Sequence, residues 1–148
     1  IGVSIADEKE DYTCVYMLRR EIKIDGNVHY IDETKQPLSM KQWLTTISQS
    51  RFLITNSYHG TIMAILSHVP FAVILEGGKT EGMNDRFKSL LQRLSLSERM
   101  VTSVDMLNSI KNQSINWYDI DKKIQEIKGI GSEFLNLVDA KIKTQHSL

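Results

Sequence analysis

The chain has 148 residues, and its 18 Lys and Arg are balanced by 18 Asp and Glu. That length suits one domain around a single core, and a net charge of zero argues against a dedicated nucleic-acid binder, which carries a basic excess on one face. The single cysteine, Cys14, excludes an internal disulfide; it sits in the apolar run 13–18, where a buried thiol is expected, and the natural compartment is the cytoplasm. The longest apolar stretch, 61–75, is too short for a membrane span and is broken by Pro70.

The first residues, Ile1 to Ile5, lack the basic region of a signal peptide and run into the charges of Asp7 to Asp11. With no initiator Met, the start looks cut from a longer polypeptide. Residues 13–18 are β-branched and aromatic and read as a strand. Residues 21–31 alternate Ile22, Ile24, Val28 and Tyr30 around Asp25-Gly26, the pattern of a hairpin. Ser39 is placed to cap a helix over 40–48, on which Met40, Trp43, Leu44 and Ile47 share a face. Residues 52–55 read as a short buried strand, 61–66 as a helix apolar all round, and 71–75 as the next buried strand. Strand, short loop, buried helix, strand is a βαβ element, so a parallel sheet is expected.

Beyond it lies a Gly-rich loop over 76–82. Asn84 or Asp85 is expected to cap a helix over 86–94, with Phe87, Leu90, Leu91 and Leu94 on its apolar face. Met100-Val101 suggests a further short strand and 105–112 a short helix. From Tyr118, Ile120, Ile124, Ile127, Phe134, Val138 and Ile142 fall at helical spacing, so 118–148 reads as a C-terminal helical segment. Gly129 and Gly131 predict a break in it. The fold class is therefore α/β, a Rossmann-like parallel sheet flanked by helices, in one domain over 1–148.

In open parallel sheets ligands bind beyond the carboxyl ends of the strands. Two loops leave such ends, 56–60 and 76–84. The first enters a helix, whose dipole and unpaired N–H groups attract a phosphate or carboxylate. Gly60 lets an anion approach the backbone, Ser57 and Thr61 add hydroxyls, and His59 supplies a group that titrates near neutral pH. The second loop adds Lys79 and Arg86. Together these make an anion cradle with one titratable group. His68, at a helix end, and the packing residues Trp43 and Trp117 read as structural, and His29 and His146 carry no assigned role. No residues show metal-ligand spacing and there is no dinucleotide or P-loop fingerprint.

The segment from Phe52 through Thr55-Asn56-Ser57-Tyr58-His59-Gly60-Thr61 to Val69-Pro70-Phe71 resembles the signature of the polysaccharide pyruvyl transferase family: a buried strand, T-D/N-S-F/Y-H-G-T, an apolar helix and a Pro-Phe strand. Asn84-Asp85-Arg86-Phe87 with Leu96 and Arg99 forms a second similar block. Ile115-Asn116-Trp117 with Ser132, Phe134 and Leu135 forms a weaker third, so the resemblance runs from about Ser39 to Leu137. It implies the donor-binding, C-terminal half of a two-domain, glycosyltransferase-B-like enzyme whose N-terminal domain, with most of the acceptor site, this chain lacks. It also implies transfer of the enolpyruvyl unit of phosphoenolpyruvate to a sugar or glycan acceptor, with a pyruvate ketal formed on a cell-surface polysaccharide precursor. His59 falls on the family's general acid, and no cofactor or metal is required. Two positions depart from the pattern: Ser57 stands where some members have Arg, and Asn56 where many have Asp. Alone, the chain is expected to bind donor weakly and turn over little. Two other readings stay open, the nucleotide-sugar half of a conventional glycosyltransferase and a non-catalytic Rossmann-like module.

Overall fold

A computed structural model describes residues 9–75 and 82–127. Five strands form one sheet, β1 (Thr13–Tyr16), β2 (Val28–Ile31), β3 (Phe52–Thr55), β4 (Phe71–Ile74) and β5 (Met100–Val101), in the order β2-β1-β3-β4-β5. Every pairing is parallel, with Thr13 opposite both Val28 and Phe52. The helices are α1 (Met40–Ser48), α2 (Tyr58–Leu66), α3 (Gly82–Arg93), α4 (Leu107–Lys111) and α5 (Trp117–Glu126). This is the α/β, Rossmann-like arrangement read from the sequence.

β1, β3 and β4 are short and largely apolar because both faces are covered, whereas β2 at the edge is half exposed. On one face Cys14, Tyr16, Leu53, Phe71 and Val73 meet residues of α1, α2, α3 and α5. On the other Val15, Ile54, Ala72 and Ile74 meet Leu107 and Ile110 of α4, with Met17, Ile22 and Ile24 packed alongside. Cys14 is fully buried and its thiol is pushed up to about 12 by burial, an inert core group.

The hairpin expected over 21–31 does not form. Val28–Ile31 pairs with β1 in parallel, and residues 17–27 run back along the sheet without a helix. Ile22 and Ile24 pack onto the second face of the sheet and not against an antiparallel partner. Gly26, at φ 104°, supplies the turn that precedes β2.

Ser39 caps α1 as expected, its hydroxyl accepting from the Gln42 amide while the Gln42 side chain accepts from the Ser39 amide. Two helix starts differ from the reading. α2 begins at Tyr58, three residues before 61, because Ser57 caps it. α3 begins at Gly82, so Asn84 and Asp85 lie in its first turn and do not precede it. α5 is capped by Asn116 and ends at Glu126; the remainder of the 118–148 segment, with Gly129 and Gly131, lies outside the described residues.

His68 follows the C-terminus of α2 at φ 57°, the left-handed position that closes a helix. Its ring stacks on Trp117 at 5.1 Å and its Nε2 lies 3.0 Å from the Asp121 carboxylate, so it ties α2 to α5 as a structural residue. Trp43 is buried in the core. Arg99 is fully buried, donating to the Gln113 and Phe71 carbonyls at 2.9 and 3.4 Å. Lys9 donates to the Ser48 and Ser67 carbonyls at the ends of α1 and α2, where a cation meets two helix dipoles.

Candidate functional site

The strand order has a consequence for where ligands bind. The chain steps from β1 to β2 in one direction, then returns through α1 across β1 to β3. The winding reverses between β1 and β3: the connection after β1 crosses one face of the sheet and α2, after β3, covers the other. In sheets of this order the crevice between the loops that leave β1 and β3 is the binding site. One loop is Asn56-Ser57, entering α2. The other is Met17–Arg20, which the sequence reading did not single out.

The two loops are locked together. Asn56 is buried, and its Oδ1 accepts from the Leu18 amide at 2.7 Å while its Nδ2 donates to the Leu18 carbonyl at 2.9 Å. The amide side chain thus continues the β1–β3 ladder by one rung. A carboxylate there would accept but not donate, so Asn suits this geometry better than the Asp of many family members. The chain then turns sharply at Arg19, at φ 60°. His68 and Ser95 share that conformation at helix ends, whereas Arg19 holds it in a loop at the crevice, where backbone strain clusters at functional sites. Arg19 and Arg20 are both exposed. The signal that could have found them is the pair of arginines at the carboxyl end of the 13–18 strand.

At the N-terminus of α2 the internal bonding is dense. Ser57 accepts through its hydroxyl from the Gly60 amide at 3.1 Å, and its carbonyl accepts from the Thr61 amide and hydroxyl at 3.0 and 2.9 Å. The Thr55 hydroxyl donates to the Tyr16 carbonyl at 2.6 Å and accepts from the Ser57 amide at 2.9 Å. The Gly60 and Thr61 amides, two of the N–H groups that a helix start offers to an anion, are therefore committed inside the fold. Thr61 is fully buried. Gly60 is needed for packing: a Cβ there would stand 3.1 Å from the Tyr16 ring and 3.3 Å from Thr55 Oγ1.

His59 is exposed in the first turn of this helix, where the positive end of the dipole favours an anion. Tyr58 joins His59 to Arg86. Its ring lies edge-on to the imidazole at 6.2 Å, tilts against Phe87 at 5.8 Å, and carries the Arg86 guanidinium over its face at 4.1 Å. The structure thus brings Ser57, His59, Gly60, Thr61 and Arg86 to one corner of the crevice. Lys79 lies outside the described residues.

Against Gly60 and Ser57 lies a polar pair that the sequence did not suggest. Tyr16, the last residue of β1, donates its hydroxyl to Glu33 Oε1 at 3.3 Å, beside the Ser57 hydroxyl. Burial first, then the Glu33 charge, push this phenol up to about 12, so it stays protonated. Among the described residues no group of three His, Cys, Asp or Glu side chains is placed to hold a metal ion, and no helix is long and apolar enough to cross a membrane.

The model of the family described as polysaccharide pyruvyl transferase matches residues 3–77, which is 75 of the 148 residues. The match contains β1 to β4 and both loops of the crevice, including the His59 block. It also takes in residues 3–38, which precede the similar blocks, while the blocks at Asn84 and Ile115 lie beyond it. No curated protein and no solved structure matches the chain.

Proposed function

The chain belongs to the polysaccharide pyruvyl transferase family, and on that premise we propose that it binds phosphoenolpyruvate in the β1–β3 crevice and transfers the pyruvyl group to a sugar as a ketal. The observation that carries this reading is the pairing of an exposed, titratable His59 with a fixed cation. Arg86 is held over Tyr58, at the helix start where an anion is favoured.

Phosphoenolpyruvate offers two anions to bind, a phosphate and a carboxylate. Arg86 and the exposed Arg19 and Arg20 suit these, with Lys79 kept as a further candidate from the sequence, and they take over from the committed amides of Gly60 and Thr61. Arginine also answers for the Ser57 departure: the guanidinium absent from position 57 is replaced from α3 and from the β1 loop. In the reaction His59, as imidazolium, gives a proton to C3 of the enolpyruvyl unit. A sugar hydroxyl oxygen bonds to C2 and its proton restores the imidazolium. The bond from C2 to the phosphate oxygen breaks, a second sugar hydroxyl bonds to C2, and its proton leaves with the released phosphate. The arginines offset the charge on that leaving group.

The donor-half role within a two-domain, glycosyltransferase-B-like enzyme is part of the same proposal, as are a cytoplasmic location and the absence of any cofactor. The test is phosphate release from phosphoenolpyruvate, with a sugar acceptor, by the full-length protein. Release that depends on acceptor and drops in His59→Gln supports the reading. Release that is indifferent to His59, or a requirement for a nucleotide sugar, contradicts it.

A further inference from the structure

His59 stands inside a small closed loop. The Ser57 hydroxyl accepts from the Gly60 amide at 3.1 Å, so one bond encloses Tyr58 and His59 and fixes the turn that carries the imidazole. Two side chains from elsewhere in the chain converge on that turn, Tyr16 from the end of β1 and Glu33 from the segment after β2. Resting on the function proposed above, in which His59 gives the proton, we infer that Tyr16 and Glu33 are positioning residues for it: Glu33 orients the Tyr16 hydroxyl, and Tyr16 holds the Ser57 cap that carries His59.

Two observations carry the inference. The first is contact. The Tyr16 ring closes on the start of α2 so tightly that a Cβ on Gly60 would stand 3.1 Å from it. The Tyr16 carbonyl accepts from the Thr55 hydroxyl at 2.6 Å, and that hydroxyl accepts from the Ser57 amide at 2.9 Å. Ring and backbone of Tyr16 therefore bear on Gly60 and Ser57, the two ends of the loop around His59. Tyr16 pairs with Ile31 across the parallel β1–β2 ladder, and Glu33 follows two residues later at the same edge of the sheet. There its Oε1 accepts from the Tyr16 hydroxyl at 3.3 Å.

The second is direction. A hydroxyl has one proton to give and lone pairs to receive others. Ser57 and Trp43 place donor groups beside the phenol oxygen, where they favour negative charge on it. The Trp43 indole N–H is buried without a hydrogen bond of its own, and an indole only donates. The phenol proton therefore points the other way, to Glu33. A carboxylate keeps it there, because it accepts and does not donate. From the Gly60 amide through the Ser57 and Tyr16 hydroxyls to Glu33, each donor faces an acceptor, an order in which neighbouring bonds polarise one another. Without Glu33 the phenol proton is free to turn onto the Ser57 oxygen. It then competes with the Gly60 amide for that oxygen and loosens the turn around His59. Burial pushes the phenol up to about 12, so this proton is present at neutral pH.

The experiment compares Tyr16→Phe, Glu33→Ala, Glu33→Gln and the double variant Tyr16→Phe with Glu33→Ala in the full-length protein. It reads the rate of phosphate release from phosphoenolpyruvate and the His59 ring signal in carbon-labelled histidine NMR, assigned by its loss in His59→Gln. Phe keeps the ring against Gly60, and Glu33 is exposed, so neither change empties the core. Tyr16→Phe and Glu33→Ala should each lower kcat about three- to tenfold, the scale of one hydrogen bond. KM for phosphoenolpyruvate should stay within about twofold, and the His59 signal should move. Glu33→Gln, which keeps an acceptor oxygen, should restore both rate and signal. The double variant should be no slower than the slower single one, since either change breaks the same chain. A His59 signal and a kcat that ignore Tyr16→Phe and Glu33→Ala overturn the inference, as do losses that Glu33→Gln does not restore, losses that simply add, or a lower thermal midpoint alone. If the wild type releases no phosphate while the His59 signal responds as expected, the pyruvyl-transfer reading falls and the positioning pair stands.

Discussion

On one face of the sheet α1, α2, α3 and α5 lay helices over Cys14, Leu53 and Phe71, whereas the other face, over Val15, Ile54 and Ile74, is closed by short α4 and the extended 17–27 connection. The helical layer is dense and holds the α2 N-terminus, with His59 on it, in a fixed place. The extended connection cannot fill the space over β1 and β2, and a cavity remains there. The rigid face carries the helix start at which the proposed proton donor stands, and the loosely covered face leaves open space beside it.

The largest effect expected from this division is catalytic. His59→Ala should lower pyruvyl transfer by about 10²–10⁴, the usual contribution of a general acid, with little change in thermal midpoint because His59 is exposed. Steady-state rates beside a melting curve test it; a large loss of stability would move His59 from chemistry to structure. The next effect compares the two faces directly. Leu53 and Ile54 are neighbours on β3, both fully buried, one against each layer. Leu53→Ala should cost toward the upper end of about 2–5 kcal/mol and Ile54→Ala toward the lower end, because the extended connection can settle into a void and packed helices cannot. Equal costs by denaturant unfolding would mean that both faces are equally rigid.

Third comes the clamp between the faces' two loops. Asn56→Ala should cost about 1–3 kcal/mol, since it strands the Leu18 amide and carbonyl. It should also weaken phosphoenolpyruvate binding, because the clamp holds the Met17–Arg20 loop in place; unchanged binding would break the link drawn between the clamp and the crevice. The smallest effect at neutral pH concerns the helical face. Cys14, Tyr12 and Tyr16 are all raised to about 12, in each case mainly by burial. The unfolded chain ionises these groups at lower pH than the folded one. Their contribution is therefore complete below the unfolded values and is lost as pH climbs from about 9 or 10 toward 12. With Tyr30, Tyr58 and Tyr118 replaced by Phe, tyrosinate absorbance that rises only with unfolding would confirm this, and tyrosinate formed in the folded state would contradict it.

Much of this was legible in the sequence, for a definite reason. Residues 52–54 and 71–74 are apolar throughout, as strands covered on both faces must be, and Ser39 sits one position before a helix-period pattern. The His59 block was legible for the same reason, because its strand, loop and helix are contiguous. The failures share a cause as well. Ile22 and Ile24 alternate as a hairpin strand would, yet whether such a segment pairs or merely packs depends on what lies across the sheet, which no local pattern records. Arg19 and Arg20 stand out only once the strand order reveals the reversal of winding at β1. The amides of Gly60 and Thr61 belong to a helix start that looks open to an anion in the sequence, which does not record that the Ser57 hydroxyl and carbonyl already accept from them. Tyr16 and Glu33, 17 positions apart, meet only through the parallel pairing of β1 and β2.

The central claim is that the β1–β3 crevice holds phosphoenolpyruvate between His59 and arginines from α3 and the β1 loop. Calorimetric titration of phosphoenolpyruvate into the chain, wild type beside Arg86→Ala and Arg19→Ala, tests it most directly. The account expects saturable binding that weakens at least about tenfold in Arg86→Ala, the scale of a lost charge-assisted contact, and weakens measurably in Arg19→Ala. Binding that is unchanged in both variants, or a nucleoside diphosphate bound in preference to phosphoenolpyruvate, would contradict it.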